Sequence, residues 1–144
     1  MGKINWSRVI LGGLLAGLII NVIDFLVNTF LLKERWAAAM EALRRPGTMS
    51  SPQIIAFLVV GFLLGIMMLW LYAAIRPRYG AGVKTALCAG TAVWVLACLL
   101  PTLTPMILHI FPRRLMAIGV VVGLVELVLG AVAGAWLYKE QSAA

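Results

Sequence analysis

Two carboxylic acids, Asp24 and Glu126, stand inside long apolar stretches of this 144-residue chain, and neither stretch holds a Lys or Arg to neutralise them. An ionised carboxylate in hydrocarbon costs about 2.5 to 3.5 kcal/mol on insertion scales, so such residues turn away from lipid and mark function by default. A carboxyl whose surroundings alternate between wet and dry can load and release a proton or hold a cation. The competing role is packing, with Glu126 donating to a carbonyl or to Asn21 across a helix interface, at about 0.6 kcal/mol for such a bond. In either role both acids are expected to face the inside of a bundle.

The neighbours of the two acids have a pattern. Gly13, Gly17, Asn21, Asp24 and Asn28 fall within an arc of about 80° on a helix, a narrow face of small and polar residues. Gly119, Gly123, Glu126, Gly130 and Gly134 repeat it near the C-terminus. Gly-x-x-x-Gly pairs at Gly13/Gly17, Gly61/Gly65, Gly119/Gly123 and Gly130/Gly134 let backbones approach where lipid supplies no hydrophobic drive. Asn21 and Asn28 read as helix-to-helix hydrogen-bonding groups.

A third stretch carries Pro101-Thr102-Leu103-Thr104-Pro105. Each proline lacks an N–H and clashes with the carbonyl four residues back, which predicts a kink at Pro101 and Pro105. Thr102 and Thr104 fall at about the depth of Asp24, so Asn21, Asn28, Thr102 and Thr104 form an expected polar patch beside the acids. Trp94 is expected to offer its indole N–H to Asp24 or Glu126.

The elements that position these residues are four apolar runs, 9–32, 54–75, 86–108 and 115–137. Each exceeds the about 20 residues that cross a hydrocarbon layer, and none alternates as barrel strands do. The first is too long for a signal-peptide core and is read as a retained span. Short links, closed by Pro77, Gly80 and Gly82 after the second run, predict antiparallel neighbours in an all-α, up-down-up-down four-helix membrane bundle, one domain over 1–144. Between the first two spans, Trp36, Met40 and Leu43 recur at helical spacing among charges, which predicts a short interfacial helix.

Composition agrees. The chain is 63% hydrophobic and 12% charged, with mean hydropathy +1.04, far from a soluble domain. Its net charge of +7 does not point to nucleic acid, because the basic residues lie before, between or after the apolar runs and form no stripe; membrane lipid headgroups are the expected anionic partner. Lys3, Arg8, Arg76, Arg78, Lys84 and Lys139 lie on the side of the termini, against Lys33, Arg35, Arg44, Arg45, Arg113 and Arg114 opposite, so basic residues do not orient the chain. The basic pair preceding the first span favours both termini in the cytoplasm. Trp6, Trp70, Tyr72, Trp136 and Tyr138 are expected to form one aromatic belt, with Trp36 and Phe111 on the other side.

Other chemistry finds no residues. Cys88 and Cys98, ten positions apart on one helix, cannot bond each other and have no metal spacing. His109, the single histidine, stands beside Arg113 and Arg114 at the interface as an anchor. No nucleophile, base and orienter set is present, and neither a cofactor nor a metal is expected.

With Asn5-Trp6, Gly12-Gly13, Asn21, Asp24, Asn28, Trp36 and the closing Ala135-Trp136-Leu137-Tyr138-Lys139-Glu140, the whole chain resembles small bacterial four-span membrane proteins of unknown function. The resemblance implies a bacterial inner-membrane location and carries no reaction. In size alone the chain is similar to small multidrug exporters and membrane glutathione transferases. The exporters place their acid early in the first helix, and the transferases carry intramembrane Arg and Glu clusters that this chain lacks. The sequence therefore predicts a non-enzymatic protein acting through helix-helix association, as a homo-oligomer or a subunit of a larger complex. The alternative is a small proton-coupled transporter or channel using Asp24 and Glu126.

Overall fold

The computed structural model describes residues 4–139, so Lys3 and Glu140 of the charge count and the closing motif lie outside it. The described chain is all helical. Helix α1 (Trp6–Leu26) runs into a π-helical turn (Val27–Leu31), and α2 (Lys33–Ala42) is the short helix expected between the first two spans. Then follow α3 (Ser51–Tyr79), α4 (Val83–Trp94), a second π-helical turn (Val95–Leu99), α5 (Leu100–Ile107) and α6 (Arg113–Leu137). Four helical stretches, Trp6–Leu31, Ser51–Tyr79, Val83–Ile107 and Arg113–Leu137, are long and apolar enough to cross a membrane, which makes this a multi-pass membrane protein.

Local chemistry sets the helix ends. The Asn5 side chain accepts from the Arg8 N–H at 3.2 Å and starts α1. Ser50 and Gln53 form a reciprocal cap at the start of α3. The helix then runs through Pro77, where the sequence suggested a stop, and ends at Gly80, whose φ of 84° only glycine adopts at little cost. A proline in a last turn removes a single hydrogen bond, and the N–H of Gly80 still reaches the Arg76 carbonyl at 2.8 Å.

The most extensive packing is α1 against α3 and α6, followed by α4 against α6. Glycines make the first two seams. A Cβ at Gly13 would lie 2.5 Å from the Ile66 Cα, and one at Gly17 2.7 Å from the Phe62 Cα, while one at Gly65 would strike the Gly13 carbonyl. Across α6, a Cβ at Gly12 would lie 2.7 Å from the Gly134 carbonyl and one at Gly130 3.1 Å from that of Ala16. Three of the four Gly-x-x-x-Gly pairs are thus used inside one chain. Gly119 is the exception, with nothing within 4 Å of where its Cβ would be.

Burial divides into two apolar clusters. The larger, towards the termini, includes Val9, Ala16, Ile20, Met68, Leu69, Tyr72, Leu127 and Tyr138. The smaller, towards the interhelical loops, joins Leu32, Ala39, Leu115 and Met116. Tyr72 and Tyr138, expected in an aromatic belt, are instead buried in edge-to-face contact at 5.8 Å, with the Arg76 guanidinium 5.5 Å from the Tyr138 ring. Their hydroxyls accept from the backbone N–H groups of Gly82 and Asn5, which draws both tyrosines inward and closes that end of the bundle. Trp6 and Trp136 stay exposed, as belt residues are. At the opposite end every residue from Ser51 to Val60 is exposed, so the first ten residues of α3 lie outside the buried core.

Candidate functional site

Helix register places the two acids between these clusters. On the antiparallel pair α1 and α6, Gly12 meets Gly134 and Ala16 meets Gly130. One more turn brings Ile20 level with Glu126, and another brings Asp24 level with Val122, about 6 Å in depth from Glu126. Glu126 is half-buried, and its Oε2 is a buried oxygen with no hydrogen-bond partner.

Asp24 departs from the expectation that both acids are enclosed, because its side chain is exposed. It continues the Gly13–Gly17–Asn21 face that packs on α3, but α3 has left the bundle at that depth. The last contact of that seam is made by Asn21, whose Nδ2 donates to the Leu58 carbonyl at 3.1 Å. Beyond it a wedge lies open between the end of α1 and the start of α3, and Asp24 borders it.

What holds Asp24 comes from its own helix and from α2. Asn28 Nδ2 donates to Asp24 Oδ1 at 2.7 Å and to the Asp24 carbonyl at 2.9 Å, and Asn28 Oδ1 accepts from Trp36 Nε1 at 2.9 Å. Trp36 is set in turn by the Phe111 ring, 5.7 Å away edge to face. The π-helical turn begins between Asp24 and Asn28, a place where such turns often accompany functional groups. Trp36→Phe keeps the ring and removes the N–H, so it is expected to cost about 1 kcal/mol of α2 docking. Amide exchange in α2 should then run about fivefold faster, whereas an unchanged rate would show that the indole bond positions nothing.

The polar patch forms only in part. Thr102 donates its hydroxyl to the Cys98 carbonyl of its own helix at 2.6 Å, and Thr104 is exposed. The irregularity expected at Pro101 and Pro105 falls one turn earlier, as the π-helical turn Val95–Leu99, which re-spaces the ladder before Pro101 withdraws its N–H. Cys98 Sγ points at α6, where a Cβ on Gly123 would meet it at 2.6 Å, and lies 3.9 Å from the Gly119 carbonyl. Trp94 donates to the Val120 carbonyl at 2.9 Å, not to either acid as expected.

The candidate site is therefore Asp24 with Asn28 beside the wedge, and Glu126 on α6 with Cys98 against Gly123. Cys98 is the member that sequence reasoning missed; its available signal was its place one turn before Pro101 on the strand of residues facing Gly123. Among the described residues no three His, Cys, Asp or Glu side chains converge as a metal site. His109 Nε2 pairs with Arg113 Nη2 at the loop end, away from the acids. No family model, curated protein or solved structure matches this chain.

Proposed function

We propose that this multi-pass protein works by helix-helix association in the membrane, without catalysis, and that the wedge beside Asp24 receives a transmembrane helix of a second copy or of another membrane subunit. The observation that carries the reading is the exposure of Asp24 at membrane depth. Asn28 reaches only Oδ1 of this carboxyl, and the stretch of α3 at that depth, Ser51–Val60, is itself exposed, so a further covering helix would shield the acid from lipid. Apart from the open position at Gly119, the glycine seams are filled within the chain, which favours this wedge as the associating surface. We place the chain in a bacterial inner membrane with both termini cytoplasmic.

Ile54 and Leu58 continue the Gly65–Gly61 face of α3 and so line the wedge, whereas Leu63 points to the other side. A photocrosslinker at position 54, in intact membranes, is expected to give adducts heavier than the monomer; one at position 63 is not. Asp24→Leu should reduce the position-54 adducts severalfold. Equal adducts at 54 and 63, indifferent to Asp24→Leu, would remove the association reading.

A second reading rests on a separate observation, the unpartnered Oε2 of Glu126, about one helical turn in depth from Asp24. It makes the pair a proton- or cation-carrying site, with the wedge as a water path from the loop side. Proteoliposomes in which Asp24→Asn and Glu126→Gln leave pH-driven flux unchanged would remove it.

A further inference from the structure

A groove of about 460 Å³ opens between α2 and the turn that leads into α6. Ala39, Ala42, Ile110 and Leu115 line it with apolar surface, and Arg35 and Arg114 stand at its rim. Ala39 and Leu115 belong to the smaller apolar cluster, so the groove floor is continuous with the hydrocarbon-depth core. Neither Glu34 nor Glu41, the two acids of α2, lines the groove. Arg113, next to Arg114, turns to His109, which leaves Arg114 as the α6 cation at this opening. Both groove arginines are exposed.

We propose that the groove seats the headgroup of an anionic phospholipid from the surrounding bilayer, its phosphate between Arg35 and Arg114 and its glycerol and upper acyl carbons on the alanine and leucine floor. Two guanidinium groups in a lining that includes no acid complement a phosphate and can grip it in paired hydrogen bonds. The apolar floor decides for lipid over free phosphate, because a small soluble anion gains nothing from alanine and leucine. Position agrees, since α2 follows the first span directly and Arg114 opens the fourth, which places the rim at the membrane boundary. The proposal needs only the membrane location and is independent of the association reading.

Delipidated full-length protein in detergent, examined by native mass spectrometry, tests it with phosphatidylglycerol and phosphatidylcholine as probes. One phosphatidylglycerol should be retained with about tenfold preference over phosphatidylcholine. Arg35→Gln with Arg114→Gln should abolish the preference, and Ala42→Trp, which keeps both charges and fills an exposed part of the floor, should abolish it too. Arg44→Gln with Arg45→Gln, on the same side of the membrane but outside the groove, should leave it intact. Undiminished preference in either groove variant, equal loss in the Arg44/Arg45 pair, or displacement of the lipid by equimolar inorganic phosphate would each overturn the proposal.

Discussion

Gly65→Val is expected to unseat α1 from α3 and to cost at least about 3 kcal/mol of stability in detergent. The reason is that a Cβ at this position meets backbone. It would strike the Gly13 carbonyl and come within 2.5 Å of the Gly17 nitrogen and 2.9 Å of its Cα. A side chain can rotate out of the way, but two helix backbones already in contact can only separate. Separation gives up the close packing that is the main source of helix association in lipid, where burying apolar surface gains nothing. Gly119→Ala is the matched control: nothing lies within 4 Å of its Cβ position, and alanine is the better helix former by up to about 1 kcal/mol. Thermal unfolding of the two variants in one detergent checks the pair. A Gly65→Val protein that melts with the parent would mean that the seam is not closed in solution.

The second large effect has the opposite sign. Glu126→Leu is expected to raise stability by about 1 to 3 kcal/mol, because it removes a buried oxygen that no donor satisfies and replaces it with a side chain of similar bulk. Residues kept at a cost to stability are commonly kept for function, so the variant should be sturdier and impaired. Asp24→Leu should differ, since Asp24 already holds Asn28 at 2.7 Å and its loss costs about 0.6 kcal/mol. The pair thus distinguishes two kinds of intramembrane acid. Denaturant titration of both variants reads the result. A destabilised Glu126→Leu would show that the carboxyl is a packing donor, the lesser role that its sequence context also allows.

The two acids differ in how much of their setting could be read beforehand. Glu126 lies where the spacing of Gly119, Gly123, Gly130 and Gly134 put it, on a surface thin enough for a neighbour to approach. Asp24 shares a face with Gly13 and Gly17, and that face does pack on α3 at the glycines. Spacing along α1 could not say that α3 stops covering it one turn before Asp24. The angle of a residue about its own helix axis is a local property, whereas the point at which a partner helix diverges depends on the whole bundle.

The third span shows the same division. Pro101 and Pro105 announced a break in the hydrogen-bond ladder, and a break exists, but a π-helical turn takes it up ahead of the prolines. That one-residue change in winding rotates Cys98 towards Gly123 and leaves Thr102 bonded to its own helix. Tyr72 and Tyr138 were read by composition as interfacial aromatics, yet the backbone N–H groups of Gly82 and Asn5 supply the partners that allow both to be buried.

The amino-acid string alone determined the solvent, the helical class, the four spans, the interfacial α2 and the glycine faces. These follow from apolar run length and from the need of every backbone group in lipid to be satisfied within its own segment. Only the tertiary structure decided which glycine pairs are consumed inside the chain, that Asp24 opens on a wedge while Glu126 is half-buried, that Cys98 packs against Gly123, and that Arg35 and Arg114 share a groove. Those are relations between helices far apart in sequence, set by where backbones touch and where they part.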